Sequence, residues 1–161
     1  MSAPVFRAAV ITVSDRVNAR VYADKSGPLV VAGLTGFGFA IAGTAAVPDE
    51  AELISAALIE WSTQADLIVT TGGTGCAPRD VTPEATMRVI ERPVPGIVEK
   101  MRIAGSEFEP RSWLSRGVAG LRGACLIVNF PGSPKGVSES LEAVGNLLVH
   151  AVGLAMGTNG H

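Results

Sequence analysis

The chain has 161 residues, with 13 Lys and Arg against 15 Asp and Glu, for a formal net charge of −2 at pH 7. That length fits one domain over 1–161 with a core of its own, and the slight acidic balance argues against a nucleic-acid binder, which carries a basic excess. Hydrophobic residues make up 47% of the chain, which excludes disorder; the two cysteines, Cys76 and Cys125, build no disulfide framework, and with His150 and His161 they form a poor zinc set.

Met1 to Arg7 lacks the basic-then-apolar layout of a secretory leader, so a soluble, reduced, cytoplasmic protein is expected. Residues 5–13 form a short apolar run that predicts a strand buried on both faces. A polar loop follows from Ser14 to Lys25. Ser26-Gly27-Pro28 then reads as a helix start with Ser26 as N-cap, the helix covering about 27–36. Ser26 to Pro48 carries no charge and is long enough to span a bilayer. Its five glycines, with a break at Gly36-Phe37-Gly38, favour a buried helix and then a buried strand over about 38–46. Pro48-Asp49 opens a helix to about Gln64, with Ile54, Leu58 and Trp61 on one face. Asp66 to Thr71 is a third strand, ending in Gly72-Gly73-Thr74-Gly75. Thr82-Pro83-Glu84 reads as cap, proline and acid at the start of a helix. Pro95-Gly96 opens another. Residues 117–122 and 124–129 read as strands, Pro131 to Gly136 as a tight loop, and about Ser138 to Met156 as the last helix, its Leu141, Val144 and Leu148 on one stripe.

Strands alternating with helices predict a mostly parallel sheet covered on both faces. Ligands of such sheets bind outside the carboxyl ends of the strands. Ser14-Asp15-Arg16, Pro48-Asp49, Thr70 to Gly75 and Pro131 to Gly136 all leave those ends. Bare amides at Gly72, Gly73 and Gly75, with the hydroxyls of Thr70, Thr71 and Thr74, suit an anion; a plain turn needing positive φ explains the glycines equally well. Neither the P-loop nor the GxGxxG pattern is present. Asp49 and Asp80 are the carboxylates nearest this edge, and an acid pair beside a phosphate loop suits Mg²⁺. Asp49 equally fits as a helix N-cap and Asp80 as a turn-stabilising side chain. Asp15, Arg16, Asp24 and Lys25 face a nucleotide or only solvent, and Arg79 and Lys135 neutralise phosphate or only hold a surface. Cys76 has no base nearby in sequence, and His150 reads as a packed or interface residue.

Together, TVSDR (12–16), DKSGP (24–28), PDE (48–50), TTGGTG (70–75), PRDVTPEAT (78–86), LSR (114–116) and PGSPKG (131–136) resemble the molybdopterin adenylyltransferase family of molybdenum cofactor biosynthesis. This is the Mog and MoaB type, found also in gephyrin and the plant Cnx proteins. The likeness runs from about Ala8 to Ala151. Competence-damage relatives read closer to TTGGLGPT-x-DD at the key loop, and molybdenum-insertion relatives closer to SGGVS.

The resemblance implies a three-layer α/β/α fold, a homotrimer and a two-substrate site. AMP passes from Mg-ATP to the terminal phosphate of molybdopterin, pyrophosphate leaves, and the product goes on to a molybdate-insertion enzyme. By the same resemblance Asp49 and Asp80 hold Mg²⁺ and are catalytic, while Thr71, Gly72, Gly73, Thr74 and Gly75 cradle phosphate. Ser115, Ser133 and Lys135 fall on the pterin side, and Ser14, Asp15, Asp24, Ser26 and Gly27 on the nucleotide side. A non-catalytic molybdopterin carrier or scaffold of the same fold is the alternative. Neither nucleic acid nor membrane is expected as a partner.

Overall fold

In a computed structural model the described residues run from 3 to 158, so His161 lies outside them. The first apolar run becomes β1 (Arg7–Val13), which leads through the one-turn helix α1 (Asp15–Asn18) into α2 (Ser26–Gly36) and β2 (Ala40–Val47). Next come α3 (Ala51–Ser62), β3 (Leu67–Thr71), α4 (Thr82–Met87) and the two-residue strand β4 (Arg92–Pro93). α5 (Pro95–Ser106), a 3-10 turn at Pro110–Leu114, β5 (Ala119–Arg122), β6 (Cys125–Phe130) and α6 (Pro134–Ala155) complete the chain.

The strands form one sheet in the order β2-β1-β3-β6-β5-β4. The first four run parallel, and β5 and β4 are antiparallel at one edge. Alternation along β1 sorts the core into two layers. Ala8 and Val10 pack with Val30, Leu34, Ile97, Val144 and Leu148 under α2, α5 and α6. Ala9, Ile11 and Val13 pack with Ile54, Leu58 and Ala85 under α3 and α4. Both faces are covered, so β1, β3 and β6 read as continuous apolar runs, and each fully buried Val, Leu or Ile contributes about 1.5–3 kcal/mol. Residues 26–48 are a helix and a strand, and among the described residues no helix is long and apolar enough to cross a membrane.

Four expectations about helix starts need correction. Ser26 is the first residue of α2 rather than its cap, and its hydroxyl donates to the Gly132 carbonyl at 2.6 Å; Asp24 Oδ1 serves the helix start by accepting from Gly27 N–H. Asp49 does not cap α3, where Glu50 occupies the cap position, because its carboxylate is held by the Asp15 N–H. Thr82 is likewise the first residue of α4, and its hydroxyl donates to the Gly72 carbonyl. α6 starts at Pro134, about four residues earlier than its apolar stripe indicated. Ser133 caps it by accepting from Gly136 N–H, and Pro134 takes the first position, where no backbone donor is needed. Pro134, Lys135 and Gly136 are therefore its first turn, not a loop.

Candidate active site

The connections from β1 and β3 leave toward opposite sides of the sheet, which opens a crevice between their carboxyl ends. Thr12 and Thr71 are register partners at that point, and Phe130 of β6 pairs with Thr71. The chain then turns sharply through Gly72 (φ +99°) and Gly73 (φ +70°). A Cβ on Gly72 would lie 2.3 Å from the Val13 carbonyl oxygen, and Gly132 also packs closely here, its own Cβ position being 3.1 Å from the Gly72 α-carbon. A Cβ on Gly73 would meet Thr82 Oγ1 at 2.3 Å and Asp49 Oδ1 at 3.1 Å. Both the positive φ and the close approach hold here, so the glycines are needed for the turn; the expectation of a bare amide fails at Gly72, whose N–H donates to the Phe130 carbonyl at 3.2 Å, and the amide that the turn leaves unshielded is that of Gly73.

Asp49 is fixed from the first loop. Asp15 N–H donates to Asp49 Oδ2 and Asp49 N–H donates to Asp15 Oδ1, each at 3.0 Å. Arg79 closes the arrangement with two nitrogens on the Asp15 carboxylate. Asp15 is held below the ordinary carboxylate range, first by the Asp49 backbone bond and then by Arg79. Asp49 moves the other way: burial raises it, and the charges of Asp15 and Asp80 add to the effect. Asp80 accepts from Ala77 N–H through Oδ2, as a turn-stabilising aspartate does, and the same oxygen lies against Gly75. Arg116 ties this segment down, donating to the carbonyls of Gly75 and Asp80 and to the Glu84 carboxylate.

Two cavities lie on either side of the glycine loop. The smaller, about 290 Å³, takes Thr71, Gly72 and Gly73 on its wall together with Ser14, Asp24, Ser26, Asp49 and Asp80. The larger, about 600 Å³, takes Thr74 and Gly75 together with Ser115, Ser133 and Lys135. The 131–135 segment is shared in the same way, Gly132 and Pro134 facing the smaller cavity and Pro131, Ser133 and Lys135 the larger. Of the fifteen site residues named from the sequence, only Asp15 and Gly27 line neither cavity. Asp15 works through Asp49. Gly27 leaves room for Asp24, whose Oδ2 accepts from the Thr12 hydroxyl and would stand 2.3 Å from a Cβ at position 27.

The smaller cavity holds three carboxylates, Asp24, Asp49 and Asp80, against one ammonium, Lys25. Phosphates entering it meet net negative charge, which a divalent cation offsets. Asp49 spends Oδ2 on a backbone bond and turns Oδ1 toward Gly73, so a carboxylate oxygen faces the loop. Among the described residues no three acids, histidines or cysteines gather to form an all-protein cage. The donor set therefore fits Mg²⁺, which takes one or two carboxylates and completes its shell with phosphate and water.

Several contributors were missed from sequence. Arg116 sits inside the LSR motif but gave no sign that it would bridge to residues 75, 80 and 84. Arg102 lines the larger cavity and donates to the carbonyls of Ser115 and Gly117, shaping the wall that carries Ser115. Asn129 is the polar residue of the otherwise apolar β6; buried, it donates to the hydroxyls of Thr70 and Thr86 and accepts from Val118 N–H. A polar residue within an apolar run was the available signal. Cys76 lines neither cavity, and Cys125 is buried with its thiol pushed up to about 12 by that burial, so neither is a nucleophile poised in the site.

Comparison with known proteins adds a family to this geometry. Residues 9–150 match the family model described as "Probable molybdopterin binding domain". A protein of Helicobacter pylori strain J99 named molybdopterin adenylyltransferase is 41% identical over 157 residues, covering 92% of this chain and 86% of its own. The molybdopterin adenylyltransferase of Escherichia coli K12 is also 41% identical, covering 91% and 79%. Among solved structures, the molybdopterin biosynthesis enzyme MoaB from Thermus thermophilus superposes with a TM-score of 0.90 at 47% identity, covering 95% of this chain and 98% of its own.

Proposed function

This chain belongs to the molybdopterin-binding-domain family of molybdenum cofactor biosynthesis, and from that membership we propose that it adenylylates molybdopterin with Mg-ATP across the paired cavities. The observation that carries the proposal is the wall between them. Thr71 to Gly75 and Pro131 to Lys135 each face one cavity with part of their length and the other cavity with the rest. Two ligands lying on opposite faces of such a wall can bring one phosphate each to the glycine loop.

ATP occupies the smaller cavity, near Ser14, Asp24 and Ser26, with its α-phosphate at Gly72 and Gly73. Molybdopterin occupies the larger, with its terminal phosphate at Thr74 and Gly75 and with Ser115, Ser133 and Lys135 around it. An oxygen of that terminal phosphate attacks the α-phosphorus. The bond to the bridging oxygen breaks, and pyrophosphate leaves with the electron pair. No protein atom is covalently involved, so the chain acts by position and electrostatics. Gly73 and Gly75 offer amide donors, and Lys135 offers a cation to the pterin-side phosphate. Asp15 and Arg79 hold Asp49 in place. Asp49 and Asp80 would hold Mg²⁺, which when bound would supply charge neutralisation for the phosphates.

We also propose a homotrimer in the cytoplasm that passes its product to a molybdate-insertion enzyme. Phe108, Trp113 and Leu114 are 65%, 56% and 58% exposed on the flank of the larger cavity and supply apolar surface for subunit contact. Light scattering giving three times the chain mass is the expected result.

The reaction is tested by incubating the protein with molybdopterin and Mg-ATP and seeking the adenylylated pterin and pyrophosphate by mass spectrometry. Asp49→Asn serves as the control. It keeps an acceptor for the Asp15 N–H and removes no helix cap, so folding stability should hold within about 0.5 kcal/mol while most turnover disappears. Pterin binding without product in the unsubstituted protein would make it a carrier instead. Near-normal turnover in Asp49→Asn would sink the metal assignment.

A further inference from the structure

The larger cavity contains an acceptor without a donor. Glu139, on the second turn of α6, lines it, and its Oε1 is buried with no hydrogen-bond partner. The nearest cation, Lys135 Nζ, stands 3.9 Å away, beyond hydrogen-bond reach, with its side chain 71% exposed. The other cations of the cavity are engaged elsewhere: Arg102 with the Ser115 and Gly117 carbonyls, Arg111 with Glu109. A covered carboxylate oxygen left this way is costly, and a native structure keeps such a group when something else supplies the donor.

The surroundings are shaped to receive one. Gly105 of α5 has no side chain there, and its Cβ position lies 2.9 Å from Ser112 Oγ and 3.7 Å from Glu139 Oε2. A hydroxyl and a carboxylate thus converge on a gap in the cavity wall. A carboxylate only accepts, so a ligand recognised at this point must bring an N–H or O–H. This step rests on the reaction proposed above. In molybdopterin the phosphate and dithiolene offer no N–H, whereas the pterin ring carries an amino group beside a ring N–H. That pair presents two parallel donors, the pattern a carboxylate takes from a guanidinium. We propose that Glu139 is a specificity-determining residue that reads this amino-pyrimidinone edge, placing the ring at the α6 end of the cavity and the phosphate at the glycine loop.

The test uses the full chain in two assays. In AMP transfer, Glu139→Ala should raise KM for molybdopterin about 10- to 100-fold, the loss of a charge-assisted pair, with KM for ATP unchanged. Glu139→Gln preserves shape and should show a smaller rise in the same direction. In binding without turnover, read by quenching of ligand fluorescence, the unsubstituted protein should prefer pterin to lumazine, which has an oxygen in place of the amino group, by about tenfold or more. Glu139→Gln should lose most of that preference. Equal affinity for pterin and lumazine would overturn the proposal, as would an unchanged KM for molybdopterin or equal rises in KM for both substrates. The fluorescence assay separates the two proposals: pterin preference without adenylylated product would refute the reaction and leave the role of Glu139 standing.

Discussion

Replacing Gly72 by Ala puts the strand-end geometry under direct strain. The residue has φ +99°, where a side chain is disfavoured, and the new methyl would stand 2.3 Å from the Val13 backbone carbonyl. The left-handed conformation costs about 1–2 kcal/mol for a residue with a Cβ. Forcing β1 and β3 apart adds about 1–3 kcal/mol of overpacking, because the opposing atom is backbone and cannot rotate away. The sum is about 2–5 kcal/mol. For a domain of this size each kcal/mol moves the melting temperature by about 2–4 °C, so a fall of roughly 5–20 °C is expected. Thermal unfolding followed by circular dichroism measures it, with AMP transfer assayed on the same sample below the transition. Gly96→Ala is the matched control: it sits in the first turn of α5, its Cβ would meet nothing within 4 Å, and its φ is not positive. That variant should gain about 0.4–1 kcal/mol by restricting the unfolded chain. If Gly72→Ala melted within a degree of the original chain and kept its rate, the account of the glycine loop as a forced close approach would be wrong.

Three further outcomes follow from particular contacts. Asn129→Ala leaves the Val118 N–H without its acceptor and deletes donors to two buried hydroxyls; it should cost about 2–4 kcal/mol, read as a lower urea midpoint at unchanged slope, and a loss below 0.5 kcal/mol would contradict it. Burial raises Asp49 above the aspartate value of 3.8, so the neutral form is relatively favoured in the folded state. This contribution to stability therefore diminishes as pH rises through the unfolded value and then the folded one. Metal binding needs the carboxylate, so turnover should fall as Asp49 is protonated and added Mg²⁺ should move the acidic limb of the rate profile to lower pH; a limb that Mg²⁺ does not move would reject the assignment. Iodoacetamide on the folded protein should modify Cys76 alone, because Cys125 is 3% exposed with its thiol pushed up to about 12, and mass spectrometry showing a second adduct before unfolding would refute this.

The order of strands and helices was legible because the strands are buried on both faces and the helices have one apolar stripe. Those patterns depend on neighbours two to four residues apart. Elements too short to show a period escaped: α1, the 3-10 turn and the two residues of β4. Placing the polar loops on one rim also came from sequence, since parallel strands with crossover helices send alternate loops to the same edge.

Asp80 took the local turn bond its sequence position suggested, but the long-range partners of the site's polar side chains were decided only by the fold. Asp15 and Asp49 are 34 residues apart and bond reciprocally, and Ser26 reaches Gly132 across 106. A hydroxyl or carboxylate near a helix start satisfies a cap rule locally, yet a better acceptor or donor brought in by another strand displaces that bond. Asp49, Ser26 and Thr82 all left their expected caps for this reason. The division of the glycine loop between two cavities, and the unpaired oxygen of Glu139, have the same origin. Sequence spacing governs local periodicity and chain direction, but the hydrogen-bond partners of a buried polar atom are set by which distant backbone packs within about 3 Å of it.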